Sequence, residues 1–441
     1  MKNWKRVLQT VSLAGLAAFM LSGCGNGSGN SSSDNSATGS SGKDELVVWT
    51  FTSELSTMIN DYYLPAHDDL AYDIRIVEIP SDQFETKLDP ILGSKDAPDV
   101  IALESAFVKK YVESGMMADL GSLGLDEAAA DTYQYVKDVG TSKDGVLHAL
   151  AWQAAPGGFY YRASMAEELL GIDDPTAAQA ALSDYDKFYE QAKAVKEKSG
   201  GTTYMISSVQ DLAKPFYGQR EHGWVEDGKL VIDDSLYDLL DVSRKFVEEG
   251  LTQDTEGQSE AWFAGMNSDN VFGYSLPTWG LHYWLKPNAT AADNSSSTEG
   301  DWRMIQGPSS WFWGGTWIGA TANSEMQEEA AQLVAYLTTD QAFLKQWAED
   351  TGDFVSNERV VEEIKSEYQE EFLGGQNHYA EFADMVQDIN AKILTEYDQT
   401  IETLFTDSCL TPYSKGEVDQ ETAIQNFKDA VVNAYPDVQV D

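Results

Sequence analysis

Trp311, Phe312, Trp313 and Trp317 crowd large aromatic rings around the pair Gly314-Gly315. They belong to a wider concentration, since seven of the twelve tryptophans stand at 262, 279, 284, 302, 311, 313 and 317. An indole has the largest flat face among side chains and a polar N–H at its edge. Such faces fill a core, or they stack on a ligand that is apolar on one side. A pyranose has that character. It carries C–H groups on a face and hydroxyls around the rim, which Asp, Glu, Asn and Gln meet with hydrogen bonds. Gly314 and Gly315 lack a Cβ, so the backbone there is free to take positive φ or to approach a ligand closely.

Patterns for covalent chemistry are missing. The five histidines, at 67, 148, 222, 282 and 378, include no i,i+4 pair, and no Cys-x-x-Cys occurs. No metal site is therefore expected. The sequence has no Gly-rich phosphate loop, no G-x-S-x-G elbow and no EF-hand loop, so neither a cofactor nor an enzymatic activity is expected. With 73 acidic residues, some carboxylate pair will always imitate a glycosidase site. A carbohydrate-active enzyme thus stays as an alternative. The formal net charge of −44 repels nucleic acid and other polyanions. It is easier to reconcile with a neutral or cationic ligand, which keeps a cationic solute such as a polyamine as a further alternative.

The elements that would position these rings alternate. The chain of 441 residues, 42% apolar, has the mass of two or three domains. Leu46 to Trp49 reads as a buried strand, 53–64 as a helix stopped by Pro65, and 72–76 as an alternating strand. Ser81 caps a helix bearing Phe84, Leu88, Ile91 and Leu92, strand 99–103 follows, and Glu104 opens a helix that closes at Gly115. Strand-helix-strand-helix-strand implies a parallel sheet with helices on its faces. Ligands of such sheets bind beyond the carboxyl ends of the strands, which here carry Trp49 and Glu104. Helices beginning near Ser183 and Asp234 flank a strand candidate at 204–206, consistent with a second α/β unit. Capping boxes at Ser324/Gln327 and Thr338/Gln341 start two helices, and a last helix stops before Pro436.

The N-terminus has its own logic. Lys2, Lys5 and Arg6 precede an apolar run at 7–21 that is short for a bilayer span. The run ends in Leu21-Ser22-Gly23-Cys24, which resembles the lipobox of bacterial lipoproteins. Residues 1–23 are read as a signal peptide and Cys24 as the lipidated residue. Residues 25–42 are almost wholly Gly, Ser and Asn, a flexible tether. Cys409 then has no partner and no disulfide is expected.

With Cys24, the tether and the opening LVVWTF in place, the chain resembles the extracellular solute-binding lipoproteins of bacterial ABC importers. The run SDQFETKLDPILGSKDAPDVIALESAFVKKYVESGMMADL at 81–120 is similar to the carbohydrate-binding branch, family 1, the relatives of maltose-binding protein. So are ALAWQAAPGGFYYR, SEAWFAG, FGYSLPTWG, WFWGGTWIGA and DTGDFVSN. The resemblance implies a two-lobed, periplasmic-binding-protein-like α/β fold. Each lobe would be a mostly parallel sheet flanked by helices, with the ligand cleft at the hinge. The implied lobes are 44–152 with 317–373, and 153–316 with 374–441. It further implies capture of an oligosaccharide or other sugar, delivery to ABC permease subunits, and a monomer. The location would be the outer face of the cytoplasmic membrane, held by the lipid alone.

Crossovers between lobes would fall near Trp152, near Trp313 to Trp317, and near Gln376. Trp49, Trp152, Trp279 and Trp313 are accordingly expected to stack on or flank the sugar, with Gly314 and Gly315 beside them. Glu54, Glu104, Asp353 and Gln376 are expected at its rim. Trp262, Trp284, Trp302, Trp317 and Trp347 are expected to pack.

Overall fold

A computed structural model describes residues 44–440. The signal-peptide, lipidation and tether readings at 1–43 lie outside the described residues. The first sheet contains β1 (Glu45–Thr50), β2 (Asp73–Glu78), β3 (Val100–Glu104) and β4 (Leu150–Ala151), to which a late strand is added. β1 pairs in parallel with β2 and β3, as the strand-helix alternation requires. Every residue of β3 but Glu104 is buried, which fits its place inside the sheet.

The second sheet centres on β5 (Pro156–Arg162), which is buried along its whole length. A small hairpin of β6 (Val225–Glu226) and β7 (Lys229–Leu230) turns through Asp227 and Gly228, both at positive φ. β8 (Gly273–Pro277), β9 (Trp302–Ile305) and β10 (Trp311–Phe312) all pair antiparallel with β5. The chain then returns to the first sheet as β11 (Thr316–Ala320), antiparallel to both β3 and β4. Two core clusters result. Val48, Ile101, Leu103, Trp152 and Trp317 belong to the first, and Phe159, Phe188, Leu239, Phe405 and Phe427 to the second. β5 serves both, since Tyr160 joins the first and its neighbours Phe159 and Tyr161 join the second, the alternation of a strand.

Several local expectations shift. Pro65 lies inside the last helical turn, Leu64–Ala66, because the preceding turn, Met58–Tyr63, is wound wider than an α-helix. The helix expected from Glu104 starts at Val108, since the Glu104 carboxylate accepts from Ala106 N–H and holds a turn there instead. Residues 204–206 form only isolated parallel bridges, Tyr204 with Val271 and Ile206 with Thr252. Caps move by one or two residues. Asp340, not Thr338, caps the helix Gln341–Thr351, and Ser324 instead donates to Asp99.

The heptad at 311–317 is the passage from one sheet to the other. Trp311 and Phe312 pair with β5, while Thr316 and Trp317 pair with β3. Gly314 at φ +82° and Gly315 at φ +101° make the turn between them. A Cβ on Gly314 would lie 2.3 Å from Trp279 Nε1. Gly314→Ala therefore adds left-handed strain and an overlap, and should cost about 2 kcal/mol or more of stability in denaturant unfolding. An unchanged unfolding midpoint would contradict this account of the turn.

Candidate functional site

A cavity of about 480 Å³ borders the passage, within the roughly 300–1,000 Å³ usual for small-molecule sites. Trp262, Trp284 and Trp313 form one wall. Their rings are locked edge to face. Trp284 lies 5.6 Å from Trp262 and 5.3 Å from Trp313, with Trp279 behind at 4.6 Å from Trp284 and 5.5 Å from Trp313. Edge-to-face pairs of this kind add about 0.5–1.5 kcal/mol each beyond burial. Two indole N–H groups fix the arrangement. Trp279 donates to the Trp313 carbonyl at 2.7 Å, and Trp262 donates to Asp211 at 2.8 Å.

A polar wall comes from the helix Asp398–Phe405 and its continuation Thr406–Leu410. Gln399, Glu402, Thr403, Thr406 and Asp407 line the cavity at helical spacing, while Ile401, Phe405 and Leu410 enter the second core. The helix Gln210–Tyr217 supplies Gln210, Asp211, Lys214 and Tyr217, and the chain just after β3 supplies Ser105 and Ala106. Aromatic rings and hydroxyl, amide and carboxylate groups thus line one cavity.

Charge crosses the cavity in a chain. Asp398 accepts from Arg220 at 2.9 Å, Arg220 lies 3.8 Å from Glu402, and Glu402 pairs with Lys214 at 2.5 Å. Lys214 stands over the Trp313 ring, 5.4 Å from its centroid. Burial pushes the Asp398 carboxyl above its ordinary value, with Arg220 opposing. Glu104 is likewise pushed up by burial, against the Ser105 hydroxyl, the Ala106 N–H and the charge of Lys214. Asp211 is pushed up to about 7 by burial, although the Ser208 and Trp262 N–H groups favour its ionised form.

A second polar cluster contains Glu54 and Asp353. The Tyr283 hydroxyl donates to Glu54 at 2.7 Å, and Trp347 Nε1 donates to Asp353 at 3.1 Å. Burial raises both carboxyls, and the Glu54 charge raises Asp353 further.

The residues expected at the site are placed as follows. Trp313 is on the cavity wall and Trp279 directly behind it, with Gly314 against the Trp279 ring. Gly315 is buried in the same turn, and its carbonyl accepts from Ser105 N–H. Glu104 stands at the end of β3, next to cavity-lining Ser105 and in the field of Lys214. Glu54 and Asp353 come together, but neither lines the cavity. Trp152 is fully buried, and half-buried Trp49 packs on the first core. Gln376 is engaged elsewhere, since its amide accepts from Met304 N–H at 2.8 Å and donates to the Met304 carbonyl at 2.6 Å. Of the rings expected in packing, Trp262, Trp302, Trp317 and Trp347 are buried, although Trp262 also borders the cavity, and Trp284 is a partly buried ring of its lining. The polar helix and Lys214 escaped sequence reasoning. The apolar spacing of Ile401, Phe405 and Leu410 is the signal that could have found the helix.

Among the described residues, no group of three or more His, Cys, Asp or Glu is placed to hold a metal ion, and no helix is long and apolar enough to cross a membrane. The family described as bacterial extracellular solute-binding protein matches residues 61–372. No curated protein sequence matches the chain. Solved structures share its fold. A protein described as an extracellular solute-binding protein of family 1 is 19% identical, with TM-score 0.76, over 88% of this chain and 99% of that one. The sugar-binding protein MalE from Xanthomonas citri is 15% identical, with TM-score 0.72, over 88% and 96%. The ABC transporter associated binding protein from B. animalis subsp. lactis Bl-04, in complex with beta-1,6-galactobiose, is 19% identical, with TM-score 0.65, over 89% and 97%. These likenesses give the two-lobed, periplasmic-binding-protein-like architecture.

Asp211 carries a pH signature. Its folded value of about 7 lies above the unfolded carboxylate value, which is about 3.9. Between these values the folded chain keeps a proton that the unfolded chain has lost. The group's contribution to stability is full below that window and falls as pH rises through it. Asp211→Asn does not titrate there. Between pH 5 and pH 8 the wild type should lose on the order of 2 kcal/mol more stability than Asp211→Asn in denaturant unfolding. Equal losses in the two proteins would contradict this assignment.

Proposed function

This chain belongs to the bacterial extracellular solute-binding proteins, and from that premise we propose that it captures an oligosaccharide and delivers it to an ABC permease. One observation carries the reading: tryptophan rings and the polar face of a helix line the same cavity of about 480 Å³. Stacked rings accept the C–H face of a sugar, and the hydroxyl, amide and carboxylate groups accept and donate at its rim. Structures of the same fold described as sugar-binding support the reading. The chain binds and releases, with no bond made or broken. Two lobes, 44–152 with 317–373 and 153–316 with 374–441, close on the ligand because the closed state gains contacts that the open state lacks. Cys24 tethers this body by lipid to the outer face of the cytoplasmic membrane, and the protein works as a monomer.

The alternatives meet physical objections. Asp398 and Glu402, which line the cavity, are already paired with Arg220 and Lys214, which leaves them less able to hold a cationic ligand. The coupled carboxyls that could serve a glycosidase, Glu54 and Asp353, do not line it.

Calorimetry against a panel of neutral oligosaccharides and polyamines tests the reading. A saccharide should bind without product release, and binding of polyamines alone would refute it. Base stacking on aromatics is worth about 1–3 kcal/mol per ring, a guide for sugars. Trp284→Ala and Trp313→Ala should each weaken binding about tenfold or more, with folding retained. Trp317 is buried and donates to the Val136 carbonyl, so Trp317→Ala should instead lower stability by about 3–5 kcal/mol. The anchor has a separate check. Cys24→Ala should release the protein into the medium or leave it unprocessed, and unchanged retention and processing would defeat the lipid assignment.

A further inference from the structure

Rings give affinity more readily than choice. Many pyranoses offer a C–H face, so Trp262, Trp284 and Trp313 alone would accept many saccharides. Discrimination requires polar groups held at the rim. Several of those bordering the cavity are already engaged. Asp211 accepts from Trp262 and Ser208, Gln210 Oε1 accepts from Gly257 N–H, and Asp398 accepts from Arg220 and Thr395. Of the cations on the cavity wall, Arg220 has a side chain only 2% exposed and donates to Asp398 and the Tyr217 carbonyl.

Lys214 differs. Its side chain is 31% exposed. An ammonium has three donors, and the Glu402 carboxylate takes one of them. The same ammonium lies over Trp313, so a charged donor and an aromatic ring meet in the cavity lining. Glu402 is the matching acceptor. It is 16% exposed and flanked by both cations, and the series Asp398–Arg220–Glu402–Lys214 restrains its carboxylate. Donor and acceptor therefore sit side by side, with the ammonium over the Trp313 ring.

From this juxtaposition we infer that Lys214 and Glu402 act as one donor–acceptor element, reading neighbouring hydroxyls of a saccharide stacked in the cavity, and that the pair sets which epimer is accepted. The inference rests on the oligosaccharide reading. One hydroxyl accepts from the ammonium while its neighbour donates to the carboxylate. An epimer that redirects either hydroxyl leaves one donor of the ammonium or one lone pair of the carboxylate without its hydroxyl partner. An ion pair that only neutralised charge would affect all saccharides alike.

The test is a ratio of affinities. Calorimetry measures wild type, Lys214→Met, Glu402→Gln and Trp284→Ala against epimeric disaccharides, beginning with cellobiose and lactose and extending to the pair containing the tightest ligand. Circular dichroism confirms that each variant is folded, and Glu402→Gln carries the test if Lys214→Met is not. Wild type should favour one epimer by about tenfold or more. Trp284→Ala should weaken both epimers and keep that ratio. Lys214→Met and Glu402→Gln should each bring the ratio down to about threefold or less. Pair variants that keep the wild-type ratio, or a wild type that binds saccharides without distinguishing epimers, would overturn the inference alone. A wild type that binds no saccharide would remove the reading beneath it as well.

Discussion

At Gly314 the backbone passes so close to the Trp279 indole that no side chain fits, and the rest of the site depends on that approach. The Trp279 N–H donates to the Trp313 carbonyl one residue before the turn. One short segment thereby leaves β5, turns at positive φ, and enters the first sheet beside β3. The three tryptophans around it serve three purposes. Trp311 packs over Gly157 in the second sheet and also borders the cavity, Trp317 reaches the Val136 carbonyl in the first, and Trp313 lines the cavity. The crowding of rings around two glycines follows from a passage that joins two cores and also borders the cavity.

Electrostatics in the cavity run against the character of the chain. A protein of net charge −44 lines its cavity with Lys214 and Arg220 and pairs them with Glu402 and Asp398. Asp211, Glu54 and Asp353 are held above their ordinary values by burial, and so is Asp398 in spite of its pairing with Arg220. A neutral ligand rich in hydroxyls suits such an interior. It satisfies donors and acceptors without adding a charge that the acidic surface would attract or repel.

Much of the architecture was legible because it is local. Strands β1 and β3 announce themselves as apolar runs, and the chain just after β3 borders the cavity at Ser105 and Ala106. The concentration of tryptophan falls on the stretch that borders the cavity. What composition could not decide was which ring faces the cavity and which the core. Trp284 and Trp302 are chemically identical, and only tertiary neighbours separate them. Trp302 is enclosed, with its N–H on Thr298, while Trp284 borders open space. The Lys214–Glu402 pair joins residues 188 apart in sequence, so no spacing rule reaches it. Glu104 misled the helix boundary because its side chain satisfies the backbone locally, a competition that periodicity does not register.

A crystal structure of the protein with an oligosaccharide soaked or co-crystallised at saturating concentration tests the central claim most directly. The account predicts a sugar ring in van der Waals contact with Trp284 or Trp313, and hydroxyls hydrogen-bonded to the helix that carries Gln399, Glu402 and Asp407. A sugar seated beside Glu54 and Asp353, with the tryptophan-walled cavity holding none, would contradict it.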